Sequence, residues 1–107
     1  MEMINRISLK GIVGNASVTK IGDTKTVTFS LATEYAYRDS SGNAIIETTW
    51  FNCRAWDGPG IADFTNLHRG DKVHLVGRLR SRQYQSTDGG THTIYEAIAS
   101  TLEIMEE

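Results

Sequence analysis

The stretch VHLVGRLRSRQY, residues 73–84, constrains the fold more than any other part of the chain. In an extended strand alternate residues point to opposite faces. Val73, Leu75, Gly77 and Leu79 then share one face, and Arg78, Arg80, Arg82 and Tyr84 share the other. An aliphatic or small side against a core, backed by three guanidiniums and a ring, gives one strand two opposite jobs. A row of positive charge ending in an aromatic suits a phosphate backbone with a base stacked beside it.

The preceding chain reads in the same period. Residues 4–13 alternate, with Ile7, Leu9 and Val13 on one side and Arg6, Ser8 and Lys10 on the other. Gly11 interrupts the apolar side, where a glycine marks a bulge, a tight bend or a close backbone approach. Strongly curved strands of a small barrel need such points. After a turn at Gly22-Asp23, residues 25–37 form a second strand with Val27, Phe29 and Leu31 toward the core. Tyr35 and Tyr37 continue that parity, which is heavy for so small a core. The strand is therefore expected to outrun the core or bulge, so that its end projects into solvent. Tyr35 is read as packing.

The polar loop 38–43 returns the chain into a third strand, residues 46–56. Its Phe51, Cys53 and Ala55 suit a core, and its other face shows Trp50, Asn52, Arg54 and Trp56. Two indoles on one face point either to a surface on which something lands or to buried core or a subunit interface. Residues 57–60, Asp-Gly-Pro-Gly, break the strand. Residues 61–68 are expected to form a short helix, with Ile61, Phe64 and Leu67 on one stripe as a plug over a barrel end. Asp57 or Gly58 would cap its start and Gly70 end it. Residues 72–84 are the fourth strand, 86–90 a turn, and 91–104 a fifth strand with a frayed end. The order is three strands, a helix and two strands in one domain over 1–107. It predicts an all-β, five-stranded Greek-key barrel of the oligonucleotide/oligosaccharide-binding (OB) fold, its short helix between strands three and four.

The formal net charge of the 107-residue chain is −2, which by itself argues against a polyanionic partner. Distribution matters more than the sum. From Lys72 through Thr87 there is no acid, whereas Glu103, Glu106 and Glu107 crowd the end. A single cysteine, Cys53, cannot form an internal disulfide and points to a reducing compartment. No apolar run reaches the roughly 18 to 20 residues of a membrane span, and the start lacks a signal peptide's pattern. A cytoplasmic location is expected, with no membrane partner.

Several segments, in order, resemble the bacterial single-stranded DNA-binding proteins: INRISLKGIVG, FSLAT, TTW, LHRGDKV, and LVGRLRSRQY with its DGG turn. The likeness runs over nearly the whole chain. It implies an OB-fold barrel that binds single-stranded DNA in replication, recombination and repair, as a homotetramer associated with the nucleoid. Carried over by position, the family's base-stacking aromatics fall on Tyr37, Trp50, Trp56 and Tyr84. Trp56 stands where a phenylalanine is common, and tryptophan is frequent at the positions of Tyr37 and Tyr84. Parity alone had placed Trp50, Trp56 and Tyr84 off the core. Family members usually continue into a flexible tail with an acidic tip that recruits replication and repair proteins. This sequence stops at Glu107, the tail being either lost or never there, so the resemblance leaves recruitment of replication and repair proteins open.

The expected contacts are thus base stacking on the four aromatics and phosphate contacts from Arg54, Arg78, Arg80 and Arg82, with Lys10 and Lys72 as weaker candidates. Arginine also stacks on bases. His68, His74 and His92 lack metal-ligand spacing, and Cys53 is expected in the core, so no metal, cofactor or catalytic group is expected. The Asn15-Ala16-Ser17 sequon matters only in a secretory pathway, and a GxxxxGK phosphate loop is missing. Exposed strand edges and a small core make subunit pairing reasonable. The alternative is a primosomal or other accessory module, whose aromatic face would be a protein hot spot. An oligosaccharide site, which the fold allows, does not call for three unpaired arginines.

Overall fold

The computed structural model describes residues 1–106, and Glu107 lies outside them. Five strands account for most of the chain: β1 (Ile7–Ile21), β2 (Thr24–Arg38), β3 (Ala44–Trp56), β4 (Lys72–Gln85) and β5 (Thr91–Met105). They close into a barrel in the order β1-β2-β3-β5-β4, with β4 pairing back onto β1. All neighbours are antiparallel except β3 and β5, which run parallel where Asn52, Cys53 and Arg54 face Glu96, Ala97 and Ile98. That short parallel seam closes the Greek key. The expected all-β barrel is present.

The alternation read from the sequence is what fills the interior. Val13, Val27, Leu31, Val73 and Leu75 are fully buried, with Leu9, Phe29, Cys53, Ala55, Ala97 and Leu102 around them. Each large aliphatic buried here contributes about 1.5–3 kcal/mol. A barrel this small needs close backbone approach where its strands cross. At Gly11 an added Cβ would collide with the carbonyl of Ala32, and at Gly77 with that of Ile98. The expected close approach in the first strand is therefore real, and β4 repeats it.

β1 runs further than the sequence reading, which stopped at residue 13. Its pairing with β2 slips between Val13 and Ala16, where Gly14 and Asn15 oppose Ser30 alone, and then continues to Ile21. The start is also later. The Asn5 amide donates to the carbonyl of Leu79 at 2.6 Å and accepts its N–H at 3.0 Å, replacing the backbone ladder ahead of Ile7.

The expected helix over residues 61–68 does not form; Ile61 makes an isolated bridge and the rest is irregular chain with one turn at residues 65–66. Their backbone groups are committed elsewhere. Leu102 donates to the Gly60 carbonyl and accepts from Ala62, at 2.9 and 2.8 Å, so Ile61 pairs with β5 instead. The Thr65 N–H goes to the Asp63 carboxylate at 3.0 Å. Gly60 and Gly70 adopt φ of 80° and 95°, turning the chain at both ends. So short a helix is marginal on its own. The three-residue spacing still does its packing work, because Phe64 and Leu67 are buried and Ile61 packs on the core.

Two hairpins outrun the barrel, and the tyrosine-rich end of the second strand suggested the first of them. β2 and β3 stay paired out to Arg38 and Ala44, and β4 and β5 out to Gln85 and Thr91, well past their last core residues. Both arms are largely exposed.

Candidate nucleic-acid interface

The outer face of β3, β5 and β4 carries most of the residues singled out in the sequence. Cross-strand partners share a face. Arg80 lies opposite Glu96, Arg82 opposite Ile94, and both Arg78 and Arg54 opposite Ile98. Trp50, Asn52, Arg54 and Trp56 belong to that same face and look across β2 to Ala32, Ser30, Thr28 and Thr26. A groove of about 680 Å³ lies over this sheet, lined in part by Asn15, Ser30, Asn52, Arg54, Arg82 and Glu96.

Trp50 stands 60% exposed and Trp56 37% exposed. Trp50 is seated on a glycine: a Cβ at Gly14 would lie 2.5 Å from its Cζ3. The β1 bulge thus makes room for an indole. Beside it, Gly14, Asn15, Ser30 and Trp50 share a second depression with Arg69, from the loop after β3. The Trp56 ring lies against two guanidiniums, with Arg54 Cζ at 5.6 Å and Arg80 Cζ at 5.8 Å from its centroid. Cation–π attraction of this kind contributes about 0.5–2 kcal/mol and fixes the ring's orientation.

Arginines of this face are ion-paired, contrary to the sequence reading of Arg80 and Arg82. Glu96, on β5, is 4% exposed and receives three of them. Arg80 Nη2 and Arg82 Nε donate to its Oε1 at 3.2 and 3.1 Å, and Arg54 Nε stands 3.5 Å from Oε2. Burial is the strongest influence on this carboxyl and alone would raise its pKa. The bonds from Arg80 and Arg82, with the charges of Arg54 and Arg82, outweigh it and hold the group below the usual carboxylate range. On the inner side of the same seam, burial and then the Glu96 charge push the Cys53 thiol up to about 12, so it stays protonated and inert.

The other expected residues are spread more widely. Tyr84 is exposed at the end of β4, on the arginine face, and stacks on His92 with centroids 5.4 Å apart. Tyr37 is exposed at the end of β2, but its register with Ile45 gives it the parity of the core-facing residues, opposite to Trp50. It stacks on Tyr35 at 6.1 Å and donates to Glu47 at 3.0 Å. Arg78 is exposed beside the N-terminal segment, in a hollow with Asn5 and Arg6. Lys10 faces His74, and Lys72 faces Ile12 and Met105, near the start of β4. Lys72 is eight residues from Arg80, or roughly 26 Å along an extended strand. The structure thus gathers Trp50, Trp56, Arg54, Arg80 and Arg82, leaves Tyr84 at one end, and sets Tyr37, Arg78, Lys10 and Lys72 apart. Sequence reasoning missed Glu96, Arg69 and Gly14. The strand parity of Glu96 was readable, but its register against β4 was not.

A closed five-stranded barrel with aromatics and arginines across one outer sheet defines an oligonucleotide-binding type of domain. The model of the single-strand binding protein family matches residues 4–105, and the chain belongs to that family. The single-stranded DNA-binding protein of Staphylococcus epidermidis is 31% identical over 96% of this chain and 77% of its own length. That of Neisseria meningitidis serogroup B is 31% identical over 72% of the chain, but only 44% of the relative is covered. The chain therefore spans about half the length of some of the curated relatives it matches. Among solved structures, the Plasmodium falciparum protein in complex with single-stranded DNA superposes with a TM-score of 0.85, at 27% identity over 99% of this chain and 98% of that one. The small single-stranded DNA-binding protein of Streptomyces coelicolor shares the fold, with a TM-score of 0.73 at 22% identity and 96% coverage of both chains.

Proposed function

We propose that the protein binds single-stranded DNA without sequence preference and without catalysis, along the groove over β3, β5 and β4. The observation that carries this is that two exposed indoles and three guanidiniums share one outer sheet face, with an open groove beside Arg54 and Arg82. Bases stack on Trp50 and Trp56 in the middle, with Tyr84 on one arm and Tyr37 on the other as outlying platforms. Stacking accepts every base because each has a π face, at about 1–3 kcal/mol per base. Arg54, Arg80, Arg82 and Arg69 meet the nearer phosphates; Arg78, Lys10 and Lys72 serve a longer strand that leaves the groove. Asn15, Ser30 and Asn52 offer hydrogen bonds at the floor without a fixed base-reading pattern.

Family membership supports a role in replication, recombination and repair, a nucleoid-associated location and assembly into a homotetramer. A light-scattering mass of four chains is the expected result for the last of these. The DNA reading is tested by titrating the intrinsic tryptophan fluorescence with oligo-dT. Strong quenching that weakens as salt rises is expected, because each phosphate neutralised contributes about 0.7 to the log–log salt slope. A folded protein that shows no quenching contradicts it and leaves the face to a protein partner.

A further inference from the structure

Among the described residues, Glu96 is the only acid that is buried, and it lies in the middle of the basic face. We propose that Glu96 is a built-in competitor for the DNA phosphates: it holds Arg80 and Arg82 in the free protein, yields them to the backbone on binding, and so lowers affinity and speeds release. The inference rests on the DNA-binding reading above.

Carboxylate and phosphate each present a pair of anionic oxygens that a planar guanidinium can bind, so one anion can stand in for the other. Glu96 has two oxygens for three guanidiniums. Its Oε1 accepts from both Arg80 and Arg82, and Arg54 approaches Oε2 only at 3.5 Å. Nε of Arg54 and Nε of Arg80 are left buried with no hydrogen-bond partner. Buried unpaired donors are costly, so the free arrangement leaves the cluster short of acceptors. A phosphate brings more. The side chains also grade outward, from 23% exposed at Arg54 to 37% at Arg80 and 47% at Arg82. The two outer arginines can turn to a ligand while Arg54 keeps its place over the carboxylate. Arg82 and Glu96 line the same groove, so the exchange needs no movement of the sheet.

Glu96→Gln keeps the side chain's shape and one acceptor while removing the charge. Its oligo-dT affinity is expected to rise on the order of tenfold at low salt, the scale of one unit charge a few ångströms away across a water-filled groove. Its salt slope should steepen by about 0.7. A folded variant with unchanged or weaker affinity overturns the proposal. A second measurement needs no variant: the Glu96 carboxyl carbon is titrated by NMR in the wild-type protein, with and without oligo-dT. The groups facing it are Arg54, Arg80 and Arg82, with the Cys53 thiol across the sheet. By linkage, a midpoint that rises on binding means that ionised Glu96 opposes DNA by the same factor. A midpoint that stays or falls overturns the proposal. Failure of the wild type to bind oligo-dT at all counts instead against the DNA-binding reading itself.

Discussion

The two faces of the β3–β5–β4 sheet exclude water by different means. Inside, Cys53, Ala55, Ala97, Val73 and Leu75 do so by size and shape, with no charge near them except across the sheet. Outside, Ile98 and Glu96 are just as inaccessible, yet the register sets them among Arg54, Arg78 and Arg80. The inner face gains stability from area removed from water. The outer face is held by charge pairing, whose net contribution after desolvation is small. Substitutions on the inner face should therefore move folding, and those on the outer face should move binding.

The largest effect expected from breaking this contrast comes from Trp50→Ala combined with Trp56→Ala. Affinity for oligo-dT, followed by anisotropy of a labelled strand, should fall by about 1–3 kcal/mol per stacked base for all sequences alike, with the urea midpoint little changed. Intact affinity in the folded double variant removes the stacking assignment. The inner-face counterpart is Leu75→Ala, expected to cost about 2–5 kcal/mol in chemical denaturation while the folded fraction keeps its affinity. A binding loss larger than the folding loss would mean the faces are coupled.

Gly14→Ala sharpens the boundary between them. The new methyl displaces the Trp50 indole without deleting it, so affinity should drop by less than in Trp50→Ala, with an overpacking cost of about 1 kcal/mol in stability. Equal affinity would show that the indole's seat is not needed.

The smallest effects are in pH. The folded-state pKa of Glu96 lies below its ordinary 4.5, so its stabilisation is complete above 4.5 and is lost as pH falls through the folded value. Denaturation midpoints should fall more between about pH 6 and 3 in the wild type than in Glu96→Gln. The Cys53 thiol has the opposite dependence. It is raised from 9.0 to about 12, so its contribution is intact below 9.0 and is lost as pH climbs toward 12. Parallel acid limbs in wild type and Glu96→Gln would remove the charge-pairing account of the outer face.

The inner face was legible because alternation is a local signal, and every residue it assigned to the core in residues 25–31 and 73–75 is buried. The same signal placed Trp50, Trp56 and the arginines outward. The helix misreading has a physical cause: three-residue apolar spacing fits an irregular loop packed on a core as well as a helix, and the distant Leu102 takes the backbone groups that a helix would need. Pairing at a distance also hid Glu96. The β4–β5 register slips between Val76 and Gly77, where Ser100 is left over on β5, so no count along the chain predicts which arginines meet the carboxylate. Arg69 was hidden for a similar reason, since it lines a hollow with Trp50 from a loop without a period.

The central claim is that the charged outer face, and not another surface, takes the DNA. An NMR titration with a short oligo-dT tests it most directly. The account predicts the largest shifts at the indole N–H signals of Trp50 and Trp56 and at the side chains of Arg54, Arg80 and Arg82, with Val27 and Leu31 methyls nearly still. Shifts concentrated around Lys10, His74 and Lys72, with both indoles silent, would contradict it.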